Sequence, residues 1–183
     1  TVEFKDKHYR ALLNPGKDSN LKDLKVAVFD RSREEAPQFE GAKTFDWPGE
    51  YDVAGVSIRG IEVLQGKGGV VTYLFHFPEG RVAWMGEMSE YPDDKFIEAL
   101  GEVHVLILPV GGKDVLSAKD AFRLVEALEP LVVIPICHGG KRDDLKPFLK
   151  EMEVQLPAPV DSYELKKALL GSENMELVIL KER

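Results

Sequence analysis

Val103-His104-Val105-Leu106-Ile107-Leu108-Pro109-Val110-Gly111-Gly112 is a nearly unbroken apolar run that two glycines end. Ser117 then opens a segment in which Ala121, Leu124, Val125 and Leu128 recur at helical spacing. Pro130 closes it, and Leu131-Val132-Val133-Ile134-Pro135-Ile136 is a second apolar run. A run of that length predicts a strand covered on both faces, and the spacing between predicts an amphipathic helix capped by the serine hydroxyl. Strand, helix and strand with short connections make a βαβ unit, so the two strands are expected to pair in parallel through a right-handed crossover.

Outward from that unit the patterns change. Val26–Phe29 reads as a short buried strand. Residues 53–64 alternate with β-branched side chains around Gly55 and Gly60, which predicts strands with bends or bulges. Val70–Phe77 and Arg81–Met85 flank Pro78-Glu79-Gly80, a hairpin signal. Pro92 and Asp93 open a helical pattern that Gly101 closes, with the proline expected in the first helical turn. A helix is expected at about 142–152, then a proline-containing passage (Pro157, Pro159) and a last strand at Glu176–Leu180. Hairpins early and βαβ units late require helices over mixed sheets, an α/β sandwich rather than a doubly wound nucleotide fold.

Composition narrows the function classes. The 183 residues suit one domain, 1–183, with 44% hydrophobic and 31% charged residues. A net charge of −8 argues against nucleic acid, which needs clustered Lys and Arg. No apolar run reaches the length of a membrane span, and no signal-peptide pattern follows Thr1. Thr1 in place of an initiator methionine leads to the expectation that processing, or lack of order, removed something upstream. One cysteine, Cys137, forms no internal disulfide and fits a reducing cytoplasm.

The run Asp46-Trp47-Pro48-Gly49-Glu50-Tyr51-Asp52-Val53-Ala54-Gly55-Val56 resembles the Gly-Pro-Gly-Glu-Tyr-Glu-Val-x-Gly-Val segment of metallo-β-lactamase-fold hydrolases, most of all the UlaG-like branch. Val105–Gly112, Ala118–Glu129, Pro130–Pro135 and the stretch from Phe148 through Asp161 agree with the same family. The resemblance covers nearly the whole chain apart from a first strand that is short or missing. It implies a four-layer αββα sandwich with mixed sheets and a metal site at one edge. Such hydrolases use five histidines and two aspartates to hold two zinc ions, which activate a bridging water.

Carried over position by position, that ligand set is absent. The His-x-His-x-Asp-His loop falls on Asp30, Ser32, Glu34 and Glu35, and the third-strand histidine falls on Gln65. The bridging aspartate falls on Glu87 and the last histidine on Cys137, next to His138. The aspartate of an early Asp-Pro pair becomes Asn14 before Pro15. The first reading is therefore a degenerate member without the dizinc site, needing no cofactor and kept for binding or assembly. The alternative is a metal-dependent hydrolase with one divalent cation in a rebuilt, carboxylate-rich site. Its ligands would come from Glu34, Glu35, Glu87, Cys137 and His138, because hard cations prefer oxygen. A third reading turns the old active-site face toward a protein partner or a second copy of the chain.

Blander readings stand beside these. Arg31 and Arg33 are expected to neutralise the loop's acids, and Cys137 to be structural, since adjacent residues on a strand face opposite ways. Trp84 is expected to fill space beside Glu87 rather than to line a pocket. His76 points away from Phe75 and Phe77, and neither His8 nor His104 has partners at ligand spacing. The loops Gly66-Lys67-Gly68-Gly69 and Gly139-Gly140-Lys141-Arg142 lack the spacing of a phosphate-binding loop and read as turns.

Overall fold

A computed structural model describes residues 1–183 except 6–7, 17, 32–36, 67, 112–113, 137–141, 166–174 and 182–183. Its first sheet holds β1 (Val2–Lys5), β2 (Arg10–Leu13), β3 (Val26–Val28) and β4 (Lys43–Phe45) in that order. β1 runs antiparallel to β2, and the other two pairings are parallel. The second sheet is built from β5 (Gly49–Val53), β6 (Val56–Gln65), β7 (Gly68–Phe77), β8 (Gly80–Trp84), β9 (Val105–Pro109), β10 (Val132–Ile136) and β11 (Glu176–Leu177). Their order across the sheet is β11-β10-β9-β8-β7-β6-β5. Its β5–β8 part is an antiparallel meander and its β8–β11 part is parallel. An isolated parallel bridge from Val160 to Leu180 extends the end of the chain beyond β11.

The expected βαβ unit is present, with β9 and β10 paired in parallel from Val105↔Val132 to Pro109↔Ile136. Between them α2 (Ala118–Leu128) is capped by Ser117, whose Oγ accepts from the Asp120 N–H at 3.1 Å. Ala121, Leu124, Val125 and Leu128 are its buried face. The earlier helix, α1 (Asp94–Leu100), starts two residues later than the sequence suggests. Asp93 is the cap, its Oδ1 accepting from the Phe96 N–H at 2.9 Å, and Pro92 lies before it. A carboxylate that satisfies a free helical N–H outweighs the φ preset by proline.

Gly60 also departs from expectation. It forms no bulge and pairs in an unbroken ladder with Gly49 on one side and Tyr73 on the other. A Cβ there would lie 3.0 Å from the Trp47 carbonyl oxygen, so the glycine admits a close backbone approach. The bend expected nearby is the β5–β6 turn, where Ala54 (φ 53°) and Gly55 (φ 81°) are both left-handed, as a tight hairpin requires.

Two apolar layers hold the sandwich. Between the sheets, Leu13, Val26 and Val28 meet Ile58, Tyr73, Phe75, Trp84 and Ile107. On the outer face of the large sheet, Leu74, Met85, Leu106 and Val133 pack under α1, α2 and α3 (Arg142–Glu151). The outer face of the small sheet is covered by Leu12, Leu24, Ala27 and Phe29 with Phe39 and Ala42, and among the described residues no helix packs there. The architecture is the α/β sandwich read from the sequence.

Candidate functional site

The parallel strands put several chain ends at one edge. Trp84 at the end of β8 pairs with Ile107, while Ile136 at the end of β10 pairs with Pro109. By that register Ile136, the end of β10, is level with Gly86, two residues past β8. β3 delivers Asp30 to the same edge from the other sheet.

Asp30 is 3% exposed and joins three of these ends. Its Oδ1 accepts from Asn14 Nδ2 at 2.9 Å, and its N–H donates to Asn14 Oδ1 at 3.2 Å. Its Oδ2 accepts from the Glu87 N–H at 2.6 Å, and its carbonyl accepts from the Val71 N–H at 2.7 Å. Asn14 reaches it from a left-handed backbone (φ 47°) just past β2, a conformation asparagine tolerates. Gly86 is indispensable to this junction. Its φ is +62°, and a Cβ would lie 2.6 Å from the Asp30 Cβ.

The loop after β8 is held a second time. Gln65 Oε1 accepts from both the N–H and the Oγ–H of Ser89 at 3.0 Å, and the Gly66 N–H donates to Glu90 Oε1 at 3.2 Å. The side chain of Glu87 is exposed. The structure thus brings the Asp30, Gln65 and Glu87 positions to one loop system. The other sequence-derived positions, Ser32, Glu34, Glu35, Cys137 and His138, lie outside the described residues.

Two expectations change in detail and one holds. The Asp30 carboxylate is satisfied by an amide and a backbone N–H, not by Arg31. Asn14, noted in the sequence only as a substituted position, proves to be its main partner. Trp84 does fill space: it is 2% exposed, lies nearly parallel to Tyr73 with ring centroids 6.1 Å apart, and its Nε1 has no hydrogen-bond partner among the described residues. Burial pushes the Tyr73 phenol far above its ordinary range, with Tyr51, Asp46 and Asp30 adding to the effect. His104 Nδ1 accepts from the Arg81 N–H at 3.1 Å, a structural role.

Residues 5–137 match the family described as the β-lactamase superfamily domain. The chain belongs to the β-lactamase superfamily. It is 27% identical over 161 residues to a UPF0173 metal-dependent hydrolase from Aeropyrum pernix, covering 75% of this chain and 66% of that one. It is 33% identical over 113 residues to another protein of that name from Methanopyrus kandleri, covering 56% and 49%. With a Pyrococcus furiosus relative spanned over only 34% of its length, the chain covers between a third and two thirds of these curated relatives. Among solved structures it superposes on a putative Zn-dependent hydrolase of the metallo-β-lactamase superfamily from Thermotoga maritima. That match has a TM-score of 0.77 at 20% identity, over 97% of this chain and 92% of the other. A metallo-β-lactamase-fold protein from Bacillus subtilis follows at 0.65 and 12%, over 98% and 88%.

These names overturn one expectation from the sequence, that no cofactor is needed, because relatives of this superfamily member are named metal-dependent. The donors at the described positions still decide what kind of metal they suit. None of Asp30, Gln65 and Glu87 is an imidazole, and Gln65 is engaged with Ser89. Among the described residues no three His, Cys, Asp or Glu side chains are grouped to hold an ion. A dizinc centre does not fit these donors. The Asp30 carboxylate is committed to Asn14 and the Glu87 N–H, which leaves the exposed Glu87 carboxylate as the donor at the edge, and oxygen donors suit one hard cation. Among the described residues no helix is long and apolar enough to cross a membrane.

Proposed function

We propose that the chain is a metal-dependent hydrolase that works with one divalent, oxygen-preferring cation at the edge where β3 and β8 end. The observation that carries this reading is the Asp30–Glu87 junction, in which the buried Asp30 carboxylate holds the backbone N–H of Glu87, whose own side chain is exposed. The relatives named metal-dependent hydrolases support it. Glu34, Glu35, Cys137 and His138 are the sequence positions from which the remaining ligands would come. Such a cation, when bound, supplies a polarised water for attack on an ester or related bond.

In this reading Asp30 is a positioning residue. Its two oxygens hold Asn14 and the Glu87 backbone, so the loop that carries the Glu87 carboxylate is pre-set. Glu87 is the ligand that can be tested without disturbing the core. Chelator-treated protein is expected to melt higher with Mn²⁺ or Mg²⁺ added. At a hundredfold excess over Kd, binding to the native state adds about 2.7 kcal/mol. Glu87→Gln is expected to keep the metal-free melting temperature and lose most of that gain. An unchanged melting temperature with every divalent ion would contradict the reading.

A further inference from the structure

Trp47 lies in the turn between β4 and β5 and is 62% exposed, the opposite of Trp84. Its backbone is nonetheless clamped. The Trp47 carbonyl accepts from the Tyr51 hydroxyl at 2.8 Å and from the Tyr73 hydroxyl at 3.4 Å. Tyr51 is stacked on Phe45 with ring centroids 3.9 Å apart, and Tyr73 on Trp84. Gly60 leaves the space that this carbonyl occupies. A rigid turn therefore holds a large indole out in water.

Beside the indole is a cleft of about 280 Å³, lined among others by Arg31, Asp46, Glu62, Gly69 and Val71. Its charged groups are not equivalent. Asp46 is buried and engaged with the protein. Glu62 is exposed and leans over Gly69, where a Cβ would run into its carboxylate. Arg31 is half-buried, and its neighbour Asp30 has both carboxylate oxygens committed elsewhere. No carboxylate among the described residues is paired with Arg31.

A guanidinium with no carboxylate paired to it among the described residues recognises carboxylate or phosphate with two parallel hydrogen bonds. An exposed indole offers a stacking face to a flat ring. We propose that this cleft binds a planar aromatic anion, an aryl carboxylate or aryl phosphate, with its ring on Trp47 and its anionic group on Arg31. Calling that ligand the substrate class rests on the hydrolase reading above; the binding itself does not.

The test is calorimetric titration of the full chain in EDTA with phenyl phosphate, benzoate, inorganic phosphate and benzylamine. Phenyl phosphate and benzoate are expected to bind saturably at one site and to shift the emission of the exposed tryptophan. Arg31→Gln should weaken both by about tenfold. Trp47→Ala should weaken them by about tenfold or more, and Trp47→Phe should restore part of the loss. Inorganic phosphate should bind at least as weakly as phenyl phosphate does to Trp47→Ala. Both side chains reach solvent, and melting temperatures near that of the parent chain would show that the variants fold. Absence of saturable binding, unchanged affinity in both variants, or tighter binding of benzylamine than of benzoate would each overturn the proposal. Because no metal is present, failure of the metal reading would leave these titrations untouched.

Discussion

Asp30 carries an acidic side chain with almost no exposure, and its free energy depends on two hydrogen bonds that come from separate parts of the chain. Asp30→Ala strands the Asn14 amide and the Glu87 N–H, so we expect a loss of about 2–3 kcal/mol in urea unfolding. Gly86→Ala forces a left-handed backbone on a residue with a Cβ and drives that Cβ into Asp30. It is expected to cost at least about 2 kcal/mol by the same measurement. Tyr73 gives a pH dependence. Its phenol keeps its proton in the folded state far above the ordinary value, whereas the unfolded chain releases it near the ordinary value. The stabilisation is complete below about pH 10. It is lost as pH rises further, at up to about 1.4 kcal/mol per pH unit. Tyr73→Phe should flatten this alkaline decline, and an unchanged slope would assign it to other groups. At this scale the sequence marked Asp30 and Glu87 as special positions. It did not reveal Asn14 as the partner, because a hydrogen bond between the ends of β2 and β3 leaves no local spacing to read.

At the level of elements, the central βαβ unit was legible because its periodicities are long and end at a serine, a proline and glycines. Ser117→Ala should destabilise the protein by about 1 kcal/mol, since the Asp120 N–H loses its cap. The places where the sequence misled are equally specific. Proline before aspartate shifted the expected α1 start by two residues. Glycine within a strand signals either a bulge or a close approach, and only the packing of the Trp47 turn on β6 shows which applies at Gly60. The seven-stranded order was not readable either, because pairing partners far apart in sequence are chosen by tertiary burial rather than local propensity.

For the whole molecule, the two sheets and the helices over the larger one form the scaffold of the β-lactamase superfamily, and Asp30 and Glu87 lie at one edge of it. The family resemblance was visible in residues 46–56, whereas the site was visible only as substitutions. That edge is tied down by Asn14, Gln65 and Gly86. Metal stoichiometry discriminates between the accounts. Chelator-stripped protein reloaded with Mn²⁺, freed of excess ion and subjected to elemental analysis should hold one ion per chain, with Glu87→Gln holding markedly less. Two zinc ions per chain from a zinc reload, or no retained metal of any kind, would contradict a single-cation hydrolase.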